Sequence, residues 1–454
     1  MKLKNVVPLL LVEIYLLFTV YLAVDGPVNW NFGNETELLI FIFLYHCAFI
    51  AGYIWNLKRE KVRPIDSHAR VDYSLLAGKY YWLIVFFALI GSVIFFKNIT
   101  MSDSLIPTGF VESIRLGIWD PAQSRNLYAE KLLSGEYKGN KYLTALTIFF
   151  GIFKYCLLPI IIFRWTSLSF KERTAGILVA LIPLLAGTAM SLSSINFSYF
   201  FTISVCLFVI FMSDEKEDGG LKGLMKRKGV ILSLVFMFAF SFWQFYAVKS
   251  GANLYAVVVK EETPANFDYL AANNVTFERE VGEYKGVAYD FYEKIAVYIS
   301  QGYKGMSISL DEPFDSTYGV GHSVFLQRVF EDYLGFDVRE RTYQRKITDR
   351  WDENVYWHSA YSYFANDVSF YGVTFVMLAL GFYFSKVVNA ALFKGNFVAK
   401  LLLPLFALMF LYLPANNQVF GFLENMMSFW VLTLMLLLFS GRYAARICNK
   451  FVLG

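Results

Sequence analysis

The chain is poor in charge and in cysteine, and both shortages narrow what it is. Only 17 % of its 454 residues are charged, against about 25 % in soluble domains, while 57 % are apolar. That balance excludes a soluble globular protein. Four cysteines are present, Cys47, Cys156 and Cys206 inside apolar runs and Cys448 near the carboxyl end. None lies in the long polar segments, which excludes disulfides and thiolate metal ligands there. Neither a repeat of solenoid period nor a low-complexity tract is visible, and there is no inverted repeat of the kind many transporters carry. The net charge of +4 reflects basic residues between apolar runs and does not indicate nucleic acid.

What the chain has instead is apolar length. Crossing a hydrocarbon layer of ~30 Å takes ~20 residues of helix. Ten spans are predicted, near 6–24, 37–55, 80–96, 142–163, 175–192, 196–212, 230–248, 368–392, 397–414 and 423–440. The turn from Ser191 to Phe197 is short enough to make the fifth and sixth a re-entrant hairpin. The expected fold is an all-α polytopic membrane protein in three parts. Residues 1–248 carry seven helices and an outer segment at 97–141, residues 249–367 form a large outer loop, and residues 368–454 carry the last three helices. Basic residues mark the inner side when counted over short loops. Lys58, Arg59, Lys61 and Arg63 share one loop and Lys226, Arg227 and Lys228 another, whereas the short segments 25–36, 193–195 and 415–422 carry none. Both termini are therefore expected in the cytoplasm. Lys2 and Lys4 precede an apolar run without a small-x-small cleavage site, the pattern of a signal anchor.

Glu13, His46 and Lys154 are the ionisable residues nearest span centres, where a charge costs on the order of 2.5–3.5 kcal/mol. A proton path and a structural pair, with Glu13 and Lys154 neutralising each other, both fit. The structural reading is preferred, because a pump needs a longer chain of such groups.

The outer segments hold the chemistry. In 97–141, Phe110, Ile114 and Ile118 recur at helical spacing around Arg115. Arg115 either faces phosphate head groups or snorkels as an anchor. From Ala288 to Leu310, Phe291, Ile295, Tyr298, Ile299 and Met306 oppose Asp290, Glu293, Lys294, Gln301 and Lys304. That pattern suits a helix dipping into the membrane surface, or one packed on the bundle. Next comes Tyr318-Gly-Val-Gly-His-Ser323, with Val324, Phe325, Val329 and Phe330 at helical spacing and Gly335 as a stop. Gly319 and Gly321 let backbone approach a ligand, Ser323 is an N-cap, and the amides of a helix start form an anion site beside Arg328. Any tight turn before a helix looks similar; His322 is what distinguishes this one. Arg339, Arg341, Arg345, Lys346 and Arg350 follow, with Arg341 and Arg345 on one helical face suited to bidentate phosphate binding. Interspersed Glu340, Asp349, Asp352 and Glu353 equally allow a solvated charged helix. Trp357-His-Ser-Ala-Tyr-Ser-Tyr-Phe-Ala-Asn-Asp367 then leads into the eighth span. Asp367 is a base or an N-cap, and the aromatic residues are an interfacial belt or part of a site.

The succession Tyr298-Ile-Ser-Gln-Gly-Tyr-Lys-Gly-Met-Ser, Tyr318-Gly-Val-Gly-His-Ser, then Trp357 with Ala365-Asn-Asp367 and Gly372 resembles the O-antigen polymerases of the Wzy type, relatives of the O-antigen ligases. The resemblance implies a GT-C-like bundle with one large periplasmic loop, in a bacterial inner membrane. It implies glycans linked to undecaprenyl diphosphate as donor and acceptor, no cofactor or metal, and as partners membrane lipids, a chain-length regulator and a flippase. In that setting Tyr303 and Trp357 are substrate-binding candidates, together with Arg115, Arg328, Arg341, Arg345, Gly319, Gly321 and Ser323.

Chemistry makes similar demands. A diphosphate leaving group needs a metal or preorganised cations and amides. No Asp-x-Asp pair occurs between Asp25 and Thr36, which weakens a metal-dependent transferase. The acceptor hydroxyl needs a base, and a histidine suits the task. His322 is the first choice, Asp367 the second and His358 the third. Alternatives are a ligase using the same donor, and a lipid-linked-oligosaccharide flippase, which would be expected to line its spans with polar residues.

Overall fold

In a hydrocarbon layer each backbone amide must be satisfied within its own segment, so long apolar runs become helices. The computed structural model describes residues 3–62, 77–102, 104, 108–133, 141–213, 228–251, 276–277 and 286–438. Arg63, Lys226, Arg227, Cys448 and most of 249–285, all used above, lie outside the described residues.

In chain order the helices are α1 (Val7–Val24), α2 (Glu35–Val62), α3 (Tyr81–Thr100), α4 (Phe110–Trp119), α5 (Pro121–Leu133), α6 (Lys141–Phe163), α7 (Phe170–Ala189) and α8 (Ser193–Met212). After them come α9 (Lys228–Gly251), α10 (Val287–Ser309), α11 (Val324–Leu334), α12 (Tyr343–Lys346), α13 (Ala360–Leu392), α14 (Phe397–Tyr412) and α15 (Leu423–Leu438). Seven are long and apolar enough to cross a membrane: α1, α2, α3, α6, α7, α8 and α13. The other three expected spans are shorter apolar helices among the described residues, Leu234–Lys249, Phe397–Tyr412 and Leu423–Leu438. Sixteen residues rise only about 24 Å at 1.5 Å each. The fifth and sixth expected spans, α7 and α8, are each 20 residues long and joined by a short turn at 190–192.

The chain divides into two compact units. The first comprises Met1–Asp66, Phe267–Asn389 and Phe406–Met426; the second comprises Ser67–Asn266, Ala390–Leu405 and Met427–Gly454. In the second, α3 packs on α6 and α7, and α4 lies along α7. Lys154 of α6 sits over the Phe95 ring at 3.6 Å.

In the first unit, α2 and α13 approach closely. A Cβ on Gly52 would lie 2.0 Å from the Leu378 carbonyl oxygen, and one on Gly381 2.0 Å from that of Phe49. Such small residues let helices pack where no hydrophobic effect draws them together. Glu13 is held by His46 (Oε2 to Nδ1, 2.6 Å) between α1 and α2, so the expected pairing with Lys154 is replaced. Both side chains are buried.

Of the two readings of 288–310, the structure has the packed one, with the helix lodged in the unit. In α10, Glu293 and Lys304 on its polar side are buried together with Ala296, Ser300, Tyr303 and Met306. The reason is small residues and local hydrogen bonds. A Cβ on Gly302 would lie 2.2 Å from the Pro414 carbonyl, Trp30 Nε1 donates to Ser300 Oγ at 2.9 Å, and Lys304 Nζ donates to the Asn31 carbonyl at 3.1 Å. Trp30 also meets Trp351 edge-on in a core with Leu22, Val28 and Ile347. A two-residue antiparallel ladder joins β1 (Val28–Asn29) to β2 (Thr276–Phe277).

Candidate active site

The segment 317–322 forms a tight turn because Tyr318 and Gly319 both take positive φ, 57° and 82°. Gly321 then brings the turn against α13. A Cβ there would lie 2.1 Å from Thr317 Oγ1 and 2.6 Å from Asn366 Cβ. The close approach expected of this glycine is therefore to the protein's own residues rather than to a ligand. Ser323 caps α11 as expected, accepting from Leu326 N, and Gly335 ends the helix with φ 69°.

The turn closes on Asp367. Oδ1 accepts from Gly321 N at 2.8 Å and from the Thr317 hydroxyl; Oδ2 accepts from His322 N at 3.0 Å and lies 2.8 Å from His322 Nδ1. The Asp367 and His322 side chains are 11 % and 21 % exposed, so the pair is shielded but open on one side. A carboxylate holding Nδ1–H fixes the tautomer and leaves Nε2 as the proton-accepting atom, the arrangement of catalytic Asp–His pairs.

Neighbouring amides fix this geometry further. Asn366 Nδ2 donates to the Gly321 carbonyl at 3.1 Å and to Gln344 Oε1 at 2.8 Å, while its Oδ1 accepts from Tyr343 N at 2.9 Å. Gln327 Nε2 also donates to the Gly321 carbonyl, at 2.6 Å. Asn417 Nδ2 donates to the His322 carbonyl at 2.6 Å, and Phe420 meets the imidazole edge-on. Asp367 thus sits in the first part of α13, just ahead of Ser369, where φ 63° and ψ 167° interrupt the helix. Only glycine adopts that region without strain, and strain of this kind gathers at functional sites.

Thr317, Asn366, Asn417, Gln327 and Gln344 did not stand out in the sequence. Asn366 was within reach, being next to Asp367 in the quoted motif. Asn417 was not, because it arrives from a segment 95 residues further on.

The other candidates divide. Arg341 is exposed and lies over the Tyr318 ring at 5.1 Å, beside the turn, with no ion pair among the described residues. Arg328 is exposed on α11 and likewise has none among the described residues. Arg345 faces Glu353 at 3.1 Å and Glu340 at 3.0 Å, and Arg339 shares Glu353. Arg341 and Arg345 do not share a helical face, because a 3-10 turn at Arg339–Arg341 ends at Thr342, which caps α12. Arg350 pairs with Glu312, and Lys346 with Asp315. The Lys346 hydrogen bond, aided by Arg341, holds the Asp315 carboxyl below its usual range.

His358 is not part of the pair. It is buried against Gly305 and Trp351, and burial pushes its imidazole down to about 3 although the Trp351 backbone opposes this. Tyr303 is also a core residue, its hydroxyl 3.0 Å from Thr19 Oγ1. Trp357 is half-buried against Tyr298 and Tyr412. Arg115 is exposed on α4, in the second unit. No group of three His, Cys, Asp or Glu able to hold a metal occurs among the described residues. No family model, no curated protein and no solved structure matches this chain.

Proposed function

We propose that this protein is a glycosyltransferase of bacterial polysaccharide assembly, joining repeat units carried on undecaprenyl diphosphate at the outer face of the inner membrane. The observation that supports the reading best is the His322–Asp367 pair at 2.8 Å, placed where a long apolar helix begins. In this scheme His322 Nε2 takes the proton from an acceptor sugar hydroxyl. The hydroxyl oxygen bonds to the anomeric carbon of the donor as the bond from that carbon to the diphosphate oxygen breaks, and undecaprenyl diphosphate leaves. Asp367 orients the imidazole and stabilises its cation. Arg341 and Arg328 form no ion pair among the described residues, Arg341 acting on Asp315 only through space, so both are open to a diphosphate. Arg345 is already neutralised by Glu340 and Glu353.

The test uses purified full-length protein with lipid-linked repeat units. His322→Ala should lose about 10²–10⁴ in turnover while donor binding persists. Arg341→Ala should weaken binding as well, Arg341→Lys should recover only part of it, and Arg345→Ala should change donor binding little. Activity should survive chelator. Normal chain lengths from His322→Ala would remove the base from the scheme. EDTA loss reversed by Mg²⁺ would require a metal-assisted departure of the diphosphate instead.

A further inference from the structure

An amphipathic helix in a folded protein normally buries its apolar side, and α11 does the reverse. The one side chain of α11 that is buried is a polar one, Gln327 at 4 % exposure, tied to the Gly321 carbonyl. Phe325, Val329 and Tyr333 recur at every fourth position along one side; the first two are half-buried and Tyr333 is exposed. Tyr333 is 65 % exposed, Leu334 55 % and Phe336, just past the helix, 58 %. Arg328 and Glu331 lie on the other side, while Asp332, seven residues after Phe325, sits at the border of the two. A contiguous exposed patch of this kind marks an interaction surface.

The start of α11 says what covers it. Ser323 caps the helix, and the preceding residue, His322, is bonded on one side to Asp367, just ahead of the break at Ser369 from which α13 runs on as a long apolar helix. On the other side His322 is bonded to Asn417, in the segment between the apolar helices α14 and α15. The amino end of α11 is therefore fixed at the level where apolar helices end, which is the membrane surface. Eleven residues extend only about 16 Å from that point.

We infer that α11 is an interfacial helix whose apolar side, carrying Phe325, Val329, Tyr333, Leu334 and neighbouring Phe336, lies in the bilayer crossed by the other helices. The occupant is lipid, with Arg328 and Glu331 facing the head groups and water. This holds whichever reaction the site performs. It also sets the height of the His322–Asp367 pair at the head-group layer, where the phosphates of any lipid-linked ligand reside.

The experiment uses the full chain, with its cysteines replaced, in lipid nanodiscs and carrying a single nitroxide at Phe325, Arg328, Val329, Glu331, Tyr333, Leu334 or Phe336. Oxygen, which partitions into lipid, should relax labels at Phe325, Val329, Tyr333, Leu334 and Phe336 several-fold more, relative to an aqueous nickel complex, than labels at Arg328 and Glu331. A bimane label at Leu334 should also be quenched by brominated lipid. If nickel reaches Tyr333 and Leu334 as readily as Arg328, the side faces water and the inference is wrong. If neither oxygen, nickel nor brominated lipid reaches them, protein covers the helix, whether a second copy or another segment, and the inference is equally wrong. None of these labelled side chains is buried, and thermal unfolding of each labelled protein, compared with the unlabelled one, shows that the fold is kept.

Discussion

Replacing Asp367 with Asn keeps shape and removes charge, and the structure states what that does. Four donors converge on the carboxylate: the Thr317 hydroxyl, Gly321 N, His322 N and His322 Nδ1. An amide offers one acceptor oxygen and one NH₂ group. With the NH₂ toward Thr317 and Gly321, the Thr317 hydroxyl keeps its bond to the Asn366 carbonyl and accepts, so Gly321 N alone loses its partner. With the NH₂ toward His322, the imidazole shifts its proton to Nε2 and accepts through Nδ1, so His322 N alone loses its partner. Each orientation loses one hydrogen bond to a charged group, worth about 1.5–3 kcal/mol. The first keeps Nε2 free but removes the charge that stabilises the imidazolium, and the second leaves no base facing the acceptor. Turnover by purified Asp367→Asn should therefore drop by about 10²–10⁴, with donor binding retained. His322→Ala combined with Asp367→Asn should be no slower than His322→Ala alone, since residues acting as one unit are not additive. The assay is single-turnover chain extension with thermal unfolding measured in parallel. Multiplying losses in the double variant, or a lowered Tm with normal turnover, would refute the pairing as a catalytic unit and leave it a structural clamp.

Three further outcomes follow from the geometry. Gly321→Ala forces Thr317 or Asn366 to move, costing about 1–3 kcal/mol and turnover as well; Gly319→Ala meets open space and should cost only the about 1–2 kcal/mol of a left-handed residue, read from Tm and turnover together. Buried His358, with its imidazole lowered to about 3, binds no proton where the unfolded chain, titrating near ~6.5, does. Its stabilising contribution is full above about pH 6.5 and is lost on acidification toward about pH 3, by about 1.4 kcal/mol per unit; His358→Gln should flatten that part of the Tm-against-pH curve. Glu13→Ala or His46→Ala alone strands a buried partner, at about 3–5 kcal/mol. The double variant should therefore be milder than the sum of the two, measured by denaturation in the same lipid.

The sequence by itself determined whatever depends on local spacing and composition. Apolar length located the long helices, because backbone hydrogen bonding in lipid admits no other segment of that kind. The Ser323 cap and Gly335 stop of α11 were legible from residue type, since each is set by a neighbour within a turn. Prominent chemistry was legible as well: His322 and Asp367 were both singled out. Their partnership was not, because 45 residues separate them and only the fold of the intervening chain brings the turn onto α13. For the same reason the sequence placed Tyr303 and His358 among site residues, while tertiary packing buried both. It left α10 as either a surface or a packed helix, and the bonds from Trp30 and to the Asn31 carbonyl hold it inside the unit. The sequence paired Glu13 with Lys154 by depth alone, whereas Glu13 meets His46 where α1 and α2 lie side by side. Among the arginines, residue type showed which could bind phosphate, but only the positions of Glu340 and Glu353 decided that Arg345 is held in ion pairs, whereas Arg341 lies over the Tyr318 ring. Charge and apolarity are properties of a residue, and partnership is a property of the fold.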